Sequence, residues 1–322
     1  MLGESMDKIK PTLKNQFGVD AIDIVEIHGG LSAMNYKIMT DGQSYFLKIY
    51  DKKKTQSSIW TENINCYMPI LVWLNESTNL QGKIVWPLKT NSGNFRYDDN
   101  ENVFLLFDYI EGEAIGKTLT RAQLLEAAEI MACLHNHGNY IPVAADKIRE
   151  DFSIPFCISL ERFISESYAA SPSDVKAILQ PCLPQLLLKN NEVKSLAEKV
   201  KHKNVKMVLC HTDAHGYNLM QSKHLVLVDW EGIRLAPAEA DLLMFSKREY
   251  WDIFIKRYLE KRPNFVLDNN VFTFYILRRK IEDIWAFIEG ILFDNLSAEQ
   301  RERDLTHLSN CCAALDNLCF EL

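Results

Sequence analysis

The sequence predicts an α+β fold with two unequal lobes. Five short segments with strand character and one helical segment lie within the first 110 residues. The apolar spacing beyond residue 113 is mostly helical, and the polar residues 111–113 have the character of a linker. Because strands are followed by a run of helices, we place an N-terminal lobe at residues 1–110 and a C-terminal lobe at residues 111–322.

The predicted N-terminal lobe is a sheet of five strands with one helix. Turn signals such as Asp41-Gly42 separate the strands. The strands are expected at residues 22–27, 35–40, 44–50, 84–90 and 103–110. The helix is expected at residues 58–74, where two apolar stripes recur at helical spacing, and Pro69 should kink it because proline lacks a backbone donor.

The predicted C-terminal lobe is helical apart from one short strand. Residues 120–137, and the region from residue 240 onward, repeat apolar side chains at helical spacing. Residues 152–202 contain prolines between short helical pieces. The apolar run at residues 225–228 predicts a short strand that leads into Asp229.

The composition is that of an ordinary soluble protein, with 47% hydrophobic and 25% charged residues. A formal charge of −7 argues against nucleic acid as a partner, because a phosphate backbone requires a basic surface. No stretch is apolar enough to cross a membrane, the N-terminus has no signal-peptide pattern, and the eight cysteines have no C-x-x-C spacing. We therefore expect a cytoplasmic monomer or weak dimer with reduced thiols.

The segment HTDAHGYNLMQSKHLVLVDWE, residues 211–231, carries the strongest functional signal. It contains His-x-Asp-x-x-x-x-Asn, with Asp213 and Asn218, followed by an apolar strand that ends at Asp229. Kinase-type phosphoryl transfer requires an aspartate that accepts a hydroxyl proton, and an asparagine and an aspartate that hold Mg²⁺. Each residue alone also fits a turn cap, but the spacing of all three favours phosphoryl transfer.

Two histidines flank Asp213 in this segment. His211 is expected to organise the loop backbone. His215 follows Asp213 by two residues, where its side chain could face a transferred phosphate, so we count His215 with Asp213 as a candidate catalytic residue. The alternative for His215 is a polar loop residue with no chemical role.

Lys48 lies between apolar residues of the third predicted strand, so its charge needs a partner or a solvent-facing edge. In a phosphoryl-transfer site it would hold the α- and β-phosphates and pair with a helix carboxylate. Glu62 is the candidate partner, because it is the only charge on one apolar stripe of the predicted helix. The alternative is that Lys48 points outward from an edge strand.

A glycine-containing turn joins the first two predicted strands. Its residues 29–33, GGLSA, could lay the backbone of Gly30 and the hydroxyl of Ser32 over phosphates. The pattern is not G-x-G-x-x-G, and a glycine turn between strands is ordinarily only a turn.

Taken together, these residues resemble the aminoglycoside phosphotransferase / choline kinase family, the small-molecule relatives of protein kinases. The resemblance runs from about residue 24 to residue 285. Its markers are GGLSAMNY (29–36), SYFLKIY (44–50), FDYIEG (107–112), HTDAHGYN (211–218), VDWEG (228–232) and PAEADLL (237–243). The stretch VDWEGIRLAPAEADLLMF is most similar to the spectinomycin phosphotransferase branch.

The resemblance implies a bilobal protein-kinase-like fold, with a five-stranded antiparallel sheet plus a helix in the N-lobe and a mainly helical C-lobe. It implies an enzyme that uses ATP, or GTP, with Mg²⁺ to phosphorylate a small-molecule hydroxyl. Asp213 and His215 would be catalytic, Asn218 and Asp229 would bind the metal, and Asp241 would brace the catalytic loop. The nucleotide would be held by Lys48, Glu62, Gly30, Ser32 and the hinge residues Asp108 and Ile110.

Two departures argue against a phosphorylation-switched protein kinase. Thr212 stands where protein kinases have arginine, and no segment ending in A-P-E follows Asp229. Family members act on aminoglycosides, choline, homoserine, methylthioribose, fructosamines or thiamine. We expect a cationic acceptor, with an aminoglycoside-type antibiotic favoured. Glu231, Glu282 and Asp283 could receive its ammonium, although Glu282 and Asp283 also fit a solvated helix face. A kinase-fold binding protein without turnover is the alternative from another class.

Overall fold

The computed structural model describes residues 8–28, 30, 32–138, 141 and 145–316. Within these residues the chain divides into two compact units. The first comprises the described parts of Met1–Cys133, Tyr140–Ile148 and Asp213–Ile233, and the second those of Leu134–Asn139, Arg149–Thr212 and Arg234–Leu322. The segment 213–231, which carries the predicted catalytic residues, therefore groups with the strands of the N-terminal part.

A five-stranded antiparallel sheet forms the core of the first unit, as predicted. Its strands are β1 Asp23–Ile27, β2 Met34–Met39, β3 Ser44–Asp51, β4 Tyr97–Asp98 and β5 Asn102–Asp108, in the order β1-β2-β3-β5-β4. Leu47 and Ile49 of β3 belong to the apolar core on one face, so the alternation of the strand directs Lys48 to the other face. Since β3 is central, Lys48 is not the outward residue of an edge strand.

The prediction of a strand at residues 84–90 is wrong. Ile84 and Pro87 make only isolated bridges, to Leu227 and Phe107 respectively. Proline cannot donate a ladder hydrogen bond, which limits pairing at the middle of this segment. The short β4 takes the fifth place in the sheet instead.

The single helix predicted at residues 58–74 is two helices, α1 Ser57–Thr61 and α2 Ile64–Ser77. Asn63 leaves helical dihedral angles, and its carbonyl accepts hydrogen bonds from Cys66 and Tyr67, so a new helix begins there. The interruption thus precedes Pro69, which lies inside α2.

Short strands form two smaller sheets. They are β6 Glu113–Ala114, β7 Val208–Cys210, β8 Leu219–Gln221, β9 Leu225–Leu227 and β10 Arg234–Ala236. In the first unit β6, β8 and β9 form an antiparallel sheet, so the predicted linker at 111–113 ends in a strand. In the second unit β7 pairs with β10.

Helices dominate the remainder of the chain, as predicted. They are α3 Arg121–Leu134, α4 Pro155–Arg162, α5 Ser173–Leu179, α6 Leu183–Lys201, α7 Glu239–Leu242, α8 Arg248–Lys261, α9 Asn269–Phe293 and α10 Ala298–Ala313. The long α9 packs against α6 and α10, and the Asp268 side chain caps its first turn. Among the described helices, none is both long and apolar enough to cross a membrane.

Candidate active site

The two predicted metal ligands meet at the end of one hairpin. Strands β8 and β9 pair antiparallel, and Asn218 immediately precedes β8. The Val228 N–H donates to the Asn218 carbonyl at 3.0 Å. Because Val228 adjoins Asp229 in the chain, this hydrogen bond places Asn218 next to Asp229.

The Asp213 carboxylate is oriented by its neighbours in the same loop. The Asn218 side-chain amide, 7% exposed, donates to the Asp213 carbonyl at 2.9 Å and to its Oδ2 at 3.0 Å. The Nε2 atom of His215 lies 3.5 Å from the other carboxylate oxygen, Oδ1. The loop therefore brings Asp213, His215 and Asn218 together and holds the carboxylate in a defined direction.

Lys48 joins this loop through two carboxylates. Its ammonium, buried on β3, donates to Asp229 and Glu231, and the Tyr50 hydroxyl donates to the same Glu231 oxygen. Lys48 and Tyr50 are two residues apart on one strand, so their side chains share a face. The predicted phosphate-binding lysine and the predicted metal ligand Asp229 are thus in direct contact.

Burial and charge act against each other in this cluster. Burial would lower the pKa of Lys48, but the Asp229 and Glu231 carboxylates outweigh it and raise that pKa above its ordinary value. Burial, with the charge of Asp229 next, raises the pKa of Glu231 to about 8 although Lys48 acts in the opposite direction. Burial also raises the pKa of Tyr50. Lys48 therefore stays charged at neutral pH, whereas two carboxylates compete for it.

Asp229 has an uncommon backbone conformation. Its φ of 69° lies in the left-handed region, which few residues other than glycine adopt. Aspartate tolerates this region better than most, and such strain concentrates at functional sites. The turn directs the Asp229 carboxylate toward Lys48 while the side chain stays 32% exposed.

The predicted pairing of Lys48 with Glu62 does not occur in this structure. Glu62 lies at the break between α1 and α2, where its exposed carboxylate accepts from Asn63. The prediction assumed a continuous helix whose stripe would carry Glu62 inward. Because the helix is interrupted, Glu62 does not point inward. Asp229 and Glu231 bind Lys48 instead.

The remaining predicted nucleotide contacts lie at two ends of the large sheet. Gly30, with φ 78°, and the half-buried Ser32 lie between β1 and β2, whereas residues 29 and 31 are outside the described residues. Asp108 ends β5, and its N–H donates to the Trp86 carbonyl at 3.0 Å. Burial raises the pKa of the Asp108 carboxyl. Ile110 follows two residues later and is half-buried.

A separate polar network in the second unit matches the bracing role implied for Asp241. The Asp241 carboxylate accepts from the backbone N–H groups of His211 and Thr212. His135 contacts Asp241 through Nε2 at 2.8 Å and the Tyr258 hydroxyl through Nδ1 at 2.7 Å. His135 and Asp241 also lie close to Cys210, but both imidazole nitrogens are engaged, so the group is bonded as a structural network rather than arranged for a metal.

Sequence reasoning did not identify Glu231 and Tyr50 as partners of Lys48. Two signals were available: Tyr50 is the same-face neighbour of Lys48 on its strand, and Glu231 follows Asp229 by two residues. The contact itself joins residues 183 positions apart, which no local pattern encodes.

A model of the phosphotransferase enzyme family matches residues 23–264, most of the chain. No curated protein sequence matches the chain significantly.

Several solved structures are similar over nearly the whole chain. A spectinomycin phosphotransferase in complex with ADP and spectinomycin is 18% identical, with a TM-score of 0.76 over 97% of this chain and 98% of that one. A microcompartment-associated aminopropanol kinase is 13% identical, with a TM-score of 0.65 over 97% and 96%. Choline kinase from Streptococcus pneumoniae is 15% identical, with a TM-score of 0.62 over 97% and 99%. At these identities the likeness establishes the fold.

Proposed function

The chain belongs to the phosphotransferase enzyme family, and on that premise we propose that it transfers the γ-phosphate of ATP to a hydroxyl of a small cationic molecule. The protein is a small-molecule kinase. The resemblance drawn from the sequence motifs is thereby confirmed. The identities of the nucleotide, the metal ion and the acceptor are proposals.

One observation carries the proposal. Asp213, Asn218 and Asp229 come together at the end of a single hairpin, and Lys48 contacts Asp229 from the large sheet of the same unit. Phosphoryl transfer has a loose transition state, so positioning and charge stabilisation supply most of the catalysis. A carboxylate, two hard oxygen donors and a buried cation are the parts that such positioning requires.

Asp213 is the proposed acceptor of the substrate hydroxyl's proton. Asn218 donates to one carboxylate oxygen at 3.0 Å, which leaves the carboxylate a fixed direction for the hydroxyl. Orientation matters more than basicity here, because little proton transfer has occurred when the phosphoryl group moves. His215, 3.5 Å from the other oxygen, is proposed to face the transferred phosphate.

Lys48 is the proposed contact of the α- and β-phosphates. Its raised pKa keeps it charged, and Asp229 and Glu231 hold its ammonium in one place. A fixed cation stabilises phosphate charge without reorganising during the reaction.

The donor set fits Mg²⁺. Asn218 and Asp229 present an amide and a carboxylate, the hard oxygen ligands that Mg²⁺ prefers, and their backbones are hydrogen-bonded neighbours through Val228. When bound there, Mg²⁺ would neutralise charge on the phosphates. The partly exposed Asp229 side chain keeps a path to solvent through which a hydrated ion can approach.

Residues 1–110 are proposed as the nucleotide-binding lobe, and residues 111–322 as the catalytic and substrate-binding lobe. The hinge of the first lobe supports this assignment. The N–H groups of Asp108 and Tyr109 donate to the carbonyls of Trp86 and Ser44. The Ile110 N–H takes no part in such a bond among the described residues, so it can serve an adenine or guanine ring. Gly30 and Ser32 would lie over the phosphates.

An acceptor that combines a hydroxyl with an amino or ammonium group is favoured. The similar structures include proteins described as acting on or binding spectinomycin, aminopropanol and choline, which share this chemistry. We favour an aminocyclitol or aminoglycoside, because the fold agrees best with the spectinomycin-bound protein among these three, with a TM-score of 0.76. An amino alcohol is the alternative.

Turnover is tested by ADP release from purified protein with ATP, Mg²⁺ and each of spectinomycin, aminopropanol and choline. The expected result is acceptor-dependent ADP release that stops when Mg²⁺ is omitted. Expression in a sensitive host, with growth measured on spectinomycin, tests the resistance role. Nucleotide binding without turnover on any acceptor would favour a kinase-fold binding protein instead.

A further inference from the structure

Tyr217 is an exposed aromatic residue inside the catalytic loop. Tyr217 is 53% exposed. Among the described aromatic residues, only Phe293, at 65%, has a larger exposed fraction. It lies between Gly216 and Asn218 in a single 3₁₀ turn, four residues after Asp213. A tyrosine placed this way contributes little to the hydrophobic core, because about half of the residue stays in contact with water.

The turn that carries Tyr217 is tightly held. The Gly116 N–H donates to the Gly216 carbonyl at 3.1 Å, and a Cβ added to Gly216 would meet the Gly116 oxygen at 2.1 Å. The Asn218 N–H donates to the His215 carbonyl at 2.8 Å. Tyr217 therefore projects from a defined backbone position, and its ring is not carried by a freely moving loop.

The Tyr217 ring packs against His215, which in turn lies beside the proposed catalytic residue Asp213. Its centroid lies 6.1 Å from that of His215, and the two rings meet edge to face at 80°. The Nε2 atom of His215 lies 3.5 Å from Asp213 Oδ1. A small molecule whose hydroxyl reached Asp213 would thus have His215 beside it, and the Tyr217 ring next to that histidine.

Charge and aromaticity at this place favour one kind of ligand. An ammonium is attracted to a carboxylate such as Asp213 and to the negative face of a tyrosine ring. A neutral hydroxyl compound gains only the apolar contact. We infer that Tyr217 is a specificity-determining residue that recognises the ammonium of the acceptor. This inference rests on the proposed function and adds which side chain selects a cationic acceptor.

The test measures kcat and KM for an acceptor at saturating ATP in four proteins: wild type, Tyr217→Phe, Tyr217→Leu and Tyr217→Ala. The acceptor is whichever of spectinomycin, aminopropanol and choline supports turnover, together with an analogue in which hydroxyl replaces the amino group. Phe293→Ala is the matched control, since Phe293 is the other exposed aromatic residue among those described and lies in the second unit.

The expected result separates ring chemistry from side-chain bulk. Tyr217→Ala and Tyr217→Leu raise the KM for the amino acceptor by about 3- to 30-fold, the range of cation–π contributions converted to affinity. Tyr217→Phe stays within about twofold, because the ring face is kept. The KM for ATP, the KM for the neutral analogue and all constants of Phe293→Ala are unchanged.

Two different results would overturn the inference. If wild type turns over the amino acceptor and Tyr217→Ala keeps its KM, or raises the KM for ATP instead, Tyr217 does not select the acceptor while the proposed function stands. If wild type turns over no acceptor although it binds ATP, the proposed function fails and the inference fails with it. Thermal unfolding of each variant checks that the fold is intact.

Discussion

Each unit contains a buried cluster of acidic and basic side chains, and the two clusters have different roles. In the first unit, Asp229 and Glu231 converge on the single ammonium of Lys48, and the Asp229 side chain is 32% exposed. In the second unit, Glu150 accepts from Arg278 at 2.8 Å, with side-chain exposures of only 1% and 11%. In the first cluster two carboxylates contact one ammonium. In the second, Glu150 is buried with Arg278, and the other carboxylate near Arg278, that of Glu282, lies 3.7 Å away and is 47% exposed.

The pKa shifts follow the same division. Burial, reinforced by the charge of Asp229, raises the pKa of Glu231 to about 8, so the two carboxylates beside Lys48 are not readily ionised together. Burial would lower the pKa of Arg278, but the charges of Glu282 and Glu150 raise it. Perturbed carboxylates that share one buried ammonium are typical of a functional site, whereas a buried ion pair is costly to break. The variants described below show whether the two clusters have different roles.

The largest expected effect is on catalysis at Asp213. Asp213→Ala removes the carboxylate that orients the substrate hydroxyl and accepts its proton, so kcat should fall by about 100- to 10,000-fold. The affinity for ATP, measured by titration calorimetry, should stay the same, because the nucleotide contacts are on other residues. Wild-type turnover in this variant would contradict the role of Asp213.

The next effect is on stability in the second unit. Arg278→Met leaves Glu150 buried without its cation, which should lower the free energy of unfolding by about 3–5 kcal/mol in urea titrations. The matched control is Arg301→Met, which removes a partly exposed pair with Asp174 and should cost about 1 kcal/mol or less. Equal losses of unfolding free energy in the two variants would show that the Glu150–Arg278 pair stabilises the fold no more than the Asp174–Arg301 pair does.

A smaller effect concerns the pH dependence of stability. Burial lowers the pKa of His135 below its ordinary 6.5, despite the hydrogen bond to Asp241. Below about pH 6.5 the unfolded chain therefore binds a proton at His135 that the folded protein does not bind. His135 thus lowers the free energy of unfolding as the pH falls below about 6.5. In His135→Gln the unfolding free energy, measured between pH 5 and 8, should change less steeply with pH. Identical slopes would refute this assignment.

The smallest effect is predicted for Glu62. Because Glu62 is exposed and Lys48 is held by other carboxylates, Glu62→Ala should change kcat/KM for ATP by about twofold or less, as expected for a surface substitution. A loss of more than tenfold would mean that Lys48 exchanges its partners and pairs with Glu62 during turnover.

Local sequence patterns were sufficient for much of the fold and site. Alternating polarity and the Asp41-Gly42 turn predicted the strands on either side of that hairpin. The apolar run at residues 225–228 predicted a strand that leads into Asp229, and the structure has that strand, β9. These features depend on residues close in sequence, whose backbone geometry follows from side-chain periodicity and turn chemistry.

The errors arose where distant contacts decide the outcome. Whether residues 84–90 join a ladder depends on neighbours such as Leu227, and Pro87 leaves only isolated bridges. The partner of Lys48 depended on an unrecognised helix break at Asn63, which turned Glu62 outward. Glu231 lies 183 positions from Lys48, so only the folded chain reveals their contact.

The most direct test compares two matched substitutions, Glu231→Gln and Glu150→Gln, each of which replaces a buried carboxylate with an amide. Both the free energy of unfolding and kcat/KM for ATP are measured on each variant. The expected result is a loss of kcat/KM without loss of stability for Glu231→Gln, and a loss of stability with kcat/KM per folded molecule intact for Glu150→Gln. If both variants lose stability alone, or both lose activity alone, the division into a binding cluster and a structural cluster is wrong.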